Sequence, residues 1–510
     1  MLVKDKLISN TVFLFLDWVS ITILGFLFWF VIGKTLPKAE VGIISTSINF
    51  ALVLSGLALL GLQTAVWKLI PEYSAKKQNN KLISLIRFSL KAVLLSNFII
   101  LLILFLLSSY VLNILKIPLN VLIITGAILF FNAVATQFYT IIYGFQDMKR
   151  AFSTDFFGQL LKFIVSTVLI FIGFKYYGPL TGALVGFMLV VLLRIKYVLS
   201  KIKSSPIGKA VKIDKKLIMF NYALPAFIAA ALWLVFTNGQ YVLLTALKSP
   251  DVTGVYTVAM VLTSLLAVVP TVLNNALLPI TSQLSAERNT ENKQSYLIGL
   301  IFRYGLFITI PIAILLGFFS KAAILLFSTA EFLSASQFFP LLILASFVYG
   351  FGNIFNMNLY ATGKTKVNRN IVIVTTIIFI SLAFPFIRLF SAWGLALAYF
   401  ISTLFFALVS FFYLRKFLKL KLPWNSVGRL MVSTFISFGL LYAVMSIFHG
   451  LLMGIVFGCI ALLLYVMILL PLRFFTKDDL KILDFLIERS PILNKQISKL
   501  REFLLKFVAK

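Results

Sequence analysis

The chain has 510 residues, 61% of them hydrophobic and 12% charged, with a formal net charge of +30 and a mean hydropathy of +1.03. Soluble domains carry about 45–50% apolar and about 25% charged residues, so this composition excludes a water-soluble fold. The apolar runs extend for about 20 residues or more, which predicts an all-α polytopic membrane protein and excludes a barrel of alternating ten-residue strands.

The first run, residues 9–32, reaches about 36 Å as a helix, enough to cross the roughly 30 Å hydrocarbon core of a bilayer. Its length and the acidic Asp17 inside it argue for a mature span and against a secretory leader. Asp17 is out of place in such a run, because an ionised carboxylate there costs about 2.5–3.5 kcal/mol on insertion scales. Thirteen further spans follow, at about 41–66, 83–111, 119–143, 152–174, 178–199, 217–240, 252–277, 296–318, 337–360, 370–389, 392–414, 426–447 and 450–472. Gly178-Pro179, Ser249-Pro250 and His449-Gly450 mark tight joints between them. The tail from 474 to 510 alternates charge with Leu480, Ile482, Leu483, Phe485 and Leu486 and reads as amphipathic helix on the membrane surface.

Lys and Arg divide unevenly between the loops. One side holds 32, among them the basic stretch 201–216, and the other holds 7. This bias predicts cytoplasmic termini, an even number of spans and a cell-membrane location. The same scatter explains the net charge by topology and by attraction to anionic lipid headgroups, with no nucleic-acid partner. The single Cys459 excludes an intrachain disulfide, and the lone His449 cannot build a metal cluster.

The chain also repeats itself. Val41-Gly42-Ile43 at the start of span 2 has its counterpart in Thr253-Gly254-Val255 at the start of span 8. Arg87 in span 3 matches Arg303 in span 9, and the turn Tyr143–Lys149 matches Tyr360–Lys366. The offsets run from 212 to 217 residues. Six spans per repeat predict two bundles in the same orientation about an axis along the membrane normal, a common transporter plan. The expected organisation is a first bundle at 1–200, a basic linker at 201–216, a second bundle at 217–421, two extra spans at 422–473 and the tail at 474–510.

The 6+6+2 plan, the Pro…Gly starts of spans 2 and 8 and the Tyr-Gly-Phe-Gln-Asp-Met-Lys turn resemble one known family. It is the polysaccharide-flippase (Wzx-type) branch of the multidrug/oligosaccharidyl-lipid/polysaccharide exporter superfamily, and the resemblance covers essentially the whole chain. It implies a MATE/MurJ-like fold around a central cavity that opens alternately to each side. The implied cargo is a lipid-linked oligosaccharide on a polyprenyl phosphate or pyrophosphate carrier. The implied partners are that lipid-linked glycan and glycan polymerase or ligase machinery, with the protein itself a monomer. A cation-coupled multidrug or small-molecule exporter of the same superfamily is the alternative.

Candidate cavity residues follow from polarity inside spans. Asp155, Gln159 and Lys162 fall at i, i+4 and i+7 on one helical stripe. Asp17 is read either as lining the cavity, where it would bind a coupling H+ or Na+, or as a packed, hydrogen-bonded group. Arg87 and Arg303 are expected as a cationic pair at the cytoplasmic mouth, suited to a pyrophosphate, or as snorkelling side chains. The amides Asn49, Asn238, Gln240, Asn274, Asn275 and Asn356 suit sugar hydroxyls, although interhelical glue is their common use. The sequence has no Walker A segment, no His/Cys cluster and no paired deep carboxylates in sequence, so an enzyme and a cofactor are not expected. Span 1 is expected to face span 7 across the cavity.

Overall fold

The computed structural model describes residues 2–203, 213–287, 290–446 and 451–476, with residues 479, 480, 484, 498, 501, 502 and 505 of the tail. His449, Arg288, residues 204–212 of the basic linker and most of the amphipathic tail lie outside these. Cys459 is exposed on its helix.

The described chain is helical throughout. Span 1 is Leu2–Thr35, and span 2 is Lys38–Ala58, continued by Leu62–Ala75 after a break at Gly61. Span 3 is Asn79–Leu106 with a short helix Ser108–Leu115, and spans 4, 5 and 6 are Leu119–Gly144, Met148–Phe171 and Tyr177–Lys203. Span 7 is Lys215–Leu247, with π-helical turns at Ile218–Ala223 and Val235–Gly239. Span 8 is Pro250–Ala286, span 9 is Glu291–Phe318 followed by Ser320–Phe327, and span 10 is Phe339–Ala361. Spans 13 and 14 are Trp424–Met445 and Leu451–Leu469.

Several starts are set by local chemistry. Asp147 accepts from the Arg150 amide at 3.2 Å, Asp214 from Leu217 at 2.9 Å and Ser249 from Val252 at 3.5 Å. Each satisfies an amide that the first turn leaves without a helical partner. Pro250 adds a residue preset for a first helical turn.

Thr365–Leu418 is a single helical stretch of 54 residues with one non-helical residue, Ser391 (φ 57°, ψ −133°). An unbroken helix would hold Phe379 and Tyr399 about 30 Å apart. Both rings instead meet Phe236, at 5.2 and 5.4 Å between centroids. The chain therefore reverses at Ser391 and makes two antiparallel spans, 11 and 12. Gly394 allows the tight reversal, since a Cβ there would stand 2.0 Å from the Phe386 carbonyl oxygen. Twelve helices among the described residues are long and apolar enough to cross a membrane. The doubling of this one and the shorter span 14 bring the count to the expected fourteen.

The repeat is visible in the helix boundaries. Span 3 runs 79–106 and span 9 runs 291–318, while their appended helices run 108–115 and 320–327, so each limit shifts by 212. The register then slips, because a 3₁₀ segment Ala330–Gln337 precedes span 10 and has no counterpart before span 4.

The two six-helix bundles meet chiefly through spans 2 and 8. The end of the molecule that holds the start of span 1 is called here the terminal face, and the other end the far face. At the far face spans 2 and 8 touch backbone to backbone. A Cβ on Gly42 would lie 1.8 Å from the Pro250 oxygen, and one on Gly254 would lie 1.9 Å from the Lys38 oxygen. Lys38 and Pro250, like Gly42 and Gly254, are repeat equivalents, so the contact obeys the internal two-fold. Just below it Thr257 donates to Ser45 at 2.8 Å, again across an offset of 212. Thr46, Thr245 and Thr253 continue the hydroxyl chain. This seam holds spans 2 and 8 together at the far face.

Candidate functional site

Below the seam, a cleft of about 520 Å³ opens between the bundles. Span 1 contributes Trp18, Thr22 and Trp29, span 8 contributes Ser264, and span 10 contributes Tyr349 and Asn353. Span 1 therefore faces spans 8 and 10 across this cleft, and the expected pairing with span 7 is corrected. Span 7 instead packs along span 2, where Gly56 accepts Leu234 and Gly61 accepts Ala223 and Phe227. The lining carries hydroxyls, one amide and indole and phenol rings, and no ionisable carboxylate or cation.

Charge sits one layer behind. Asp17 precedes Trp18 and is turned away from the cleft into the first bundle, where it is 6% exposed. Its carboxylate interacts with the charges of Asp155 and Arg194. Arg194, on span 6 and 2% exposed, is held at 2.6 Å from the Asp155 carboxylate. It also donates to Thr154 Oγ1 and to the Ala135 carbonyl, each at 2.9 Å. The Arg194 guanidinium lies 5.2 Å from the ring of Tyr139. Arg194 thus pairs directly with Asp155, while Asp17 stands near enough to feel both charges without an ion pair of its own among the described residues. One Asp17 oxygen is buried with no hydrogen-bond partner among the described residues. Such a group in hydrocarbon needs a cation or a proton to balance it.

The other expected residues divide. Asp155 lies close enough to act on Asp17, a neighbourhood not expected from the sequence, and the stripe it shares with Gln159 and Lys162 does not act as one unit. Gln159 is half-buried, and Lys162 places its ammonium 4.1 Å from the Phe28 ring, without an ion pair among the described residues. Arg87 and Arg303 are not a matched pair at a mouth. Arg87 is exposed, whereas Arg303 is 5% exposed and tied to Asp479, a residue of the tail, and to Tyr304. Its charge is neutralised inside the protein, because a buried guanidinium left alone would be too costly.

Most of the amides bind protein rather than face the cleft. Asn49 donates to the Ser45 carbonyl at 2.8 Å, and Gln240 accepts from Tyr256 at 2.8 Å and donates to Thr237. Asn274 accepts from Asn358 at 2.9 Å, and Asn356 joins Asn368 at 2.6 Å and Ser410 at 3.4 Å. Asn238 donates to Thr237, and Asn275 is exposed. These bonds tie spans 7, 8, 10, 11 and 12 together, the interhelical use that was the alternative.

Arg194, Trp18, Tyr349 and Asp479 are the residues that polarity along the sequence missed. Arg194 had a usable signal. It lies about twenty residues after the joint near Lys175, and Asp155 lies about twenty before it, so an antiparallel hairpin sets them at one depth.

Residues 7–285 match the family described as Polysaccharide biosynthesis protein, which is more than half of the chain. The chain belongs to that family. Residues 225–385 also match the MatE family. The membrane protein MJ1068 of Methanocaldococcus jannaschii is 24% identical over 387 residues, covering 72% of this chain and 76% of the relative. Among solved structures, the lipid II flippase MurJ in an inward closed conformation superposes with a TM-score of 0.66 at 18% identity, over 90% of this chain and 98% of its own. An inward-facing multidrug resistance MATE family transporter gives 0.64 at 14% identity, over 78% and 94%. Family and fold together make the protein a multi-pass transporter or flippase of the multidrug/oligosaccharidyl-lipid/polysaccharide superfamily.

Proposed function

We propose that the protein flips a lipid-linked oligosaccharide, on a polyprenyl phosphate or pyrophosphate carrier, across the cell membrane by alternating access. The observation that carries this reading is the cleft lining. Trp18, Trp29 and Tyr349 offer flat apolar faces for sugar rings, and Thr22, Ser264 and Asn353 offer hydrogen bonds. A pocket for organic cations needs exposed carboxylates, and here the acids lie behind the wall. The closed seam between spans 2 and 8 fits a resting state open toward the terminal face, where a cargo made in the cytoplasm would enter. The 32-to-7 loop bias supports the cytoplasmic orientation of that face.

Coupling is assigned in the same proposal to Asp17 and Asp155. With the guanidinium paired to Asp155 and an Asp17 oxygen left without a partner among the described residues, the cluster is suited to take up a proton or Na+ and to release it when span 1 moves. Proteoliposomes reconstituted with a fluorescent lipid-linked glycan, and in parallel with an organic cation, test the proposal. Glycan flipping without cation uptake is the expected result. Cation uptake driven by a proton or Na+ gradient, with no glycan flipping, would replace it with the exporter reading.

A further inference from the structure

A second site lies away from the cleft and shares no lining residue with it. Between the bundles, on the lipid-facing side, runs an apolar groove of about 430 Å³. Phe50 of span 2, Val111 and Ile114 of the helix after span 3, Val235 and Val242 of span 7, and Phe379 of span 11 form its walls. The π-helical turn Val235–Gly239 lies along one wall, and such turns recur at functional positions. Tyr110 and Ile380 at its rim are 67% and 40% exposed, so the groove opens sideways to the bilayer.

Past it, at the far face, three cationic residues are neighbours, with the Arg388 guanidinium 4.3 Å from the Phe384 ring. Lys116 follows the lining residue Leu115, Lys248 lies two residues past Ala246, and Arg388 ends span 11 about two turns past Ile380. Lys116 donates to the Lys248 carbonyl, and Lys248 donates to the Arg388 carbonyl at 3.0 Å. Each ammonium makes three donations at most, so donors remain on both. No carboxylate pairs with any of the three among the described residues. The far face has only seven cations in its loops, and of the other four Lys175 and Lys38 have an acid at hand, while Lys34 donates to the Leu325 and Ser328 carbonyls. Lys175 acts on Glu40, and the backbone amide of Lys38 reaches Glu331. Gathering three of the seven at one point is not needed for orientation, which the opposite side sets.

We propose that this groove and its cationic cap bind one anionic bilayer phospholipid of the far-face leaflet. The acyl chain lies along the groove and the phosphate meets Lys116, Lys248 and Arg388. Lys116 belongs to the first bundle and the other two to the second. A lipid bound here bridges the bundles and stabilises the state in which the far face is closed. Occupancy of the site does not depend on the cargo, so it stands or falls separately from the flippase reading.

The test uses the full chain in nanodiscs, with phosphatidylglycerol or phosphatidylcholine as the probe and native mass spectrometry of the lipid retained after extraction. Wild type is expected to keep phosphatidylglycerol in preference. Lys116→Gln, Lys248→Gln and Arg388→Gln should each weaken retention by about fivefold, the effect of one cation near an anionic headgroup. Lys321→Gln, elsewhere on the far face, should leave it unchanged, and Arg388→Lys should restore it. Ala246→Phe, which fills the groove without touching charge, should also expel the lipid; the melting temperature of each variant checks that it folds. Equal retention by the single charge variants, or equal retention of phosphatidylcholine by wild type, overturns the site. Displacement of phosphatidylglycerol by equimolar polyprenyl phosphate overturns the assignment to a bilayer lipid and gives the groove to the carrier.

Discussion

Asp155 and Arg194 form a buried ion pair in the first bundle, and Asp17 stands near enough to feel both charges. Removing Arg194 alone leaves Asp155 without its counter-charge, and breaking a buried pair in this way costs about 3–5 kcal/mol. Arg194→Leu is therefore expected to lower the melting temperature in detergent markedly, and Arg194→Leu with Asp155→Leu to recover much of the loss. Asp17→Asn makes a different cut. It keeps the shape and removes the charge, so a coupling role predicts normal expression with most glycan flipping lost in proteoliposomes. Unchanged flipping, with unchanged dependence on pH and Na+ gradients, would remove Asp17 from the mechanism. In the cleft, Asn353→Ala should weaken glycan binding by about fivefold, the worth of one hydrogen bond of roughly 1 kcal/mol. Asp17 is legible in the sequence because it interrupts a clean apolar run. Arg194 is hidden there, because a cation near a span end looks the same whether it snorkels or turns inward. The amides mislead for a related reason: composition counts polar groups per helix, but only packing decides whether Asn356 meets Asn368 or a sugar.

Spans 2 and 8 set the far face by glycine rather than by any strong bond. Their backbones approach so closely at Gly42 and Gly254 that no side chain fits. Gly42→Leu should force the two helices apart and leave the far face accessible to a thiol reagent at Ser45→Cys. The reverse constraint is also testable. Ser45→Cys with Thr257→Cys, in a Cys459→Ser background, should form a disulfide across the seam, stop transport, and regain it on reduction. A pair that cross-links fully while transport continues would show that the seam does not open. The internal repeat points to this contact, since the two glycines stand at an offset of 212 in the chain. The reversal at Ser391 is also legible, since the expected spans 370–389 and 392–414 part there although helix joins helix with almost no loop. The facing of span 1 is not legible at all. Its apolar residues run all round the helix, and such a helix gives no preferred side.

At the scale of the whole molecule, the proposed orientation predicts that Lys364→Cys is labelled only after cells are permeabilised, while Lys321→Cys is labelled from outside. The opposite pattern would invert the protein in the membrane. The bond between Arg303 and Asp479 also ties span 9 to the tail across 176 residues. During synthesis at about 5–20 residues per second, Arg303 waits for roughly 9–35 s before its counter-ion leaves the ribosome. Spans 10 to 14 must be inserted in that interval, with a guanidinium still unpaired in the second bundle. The order of manufacture thus makes the last stretch of the chain a keystone. Nascent chains ended at residue 475 should carry both bundles and yet show a second bundle that trypsin opens far faster than the first.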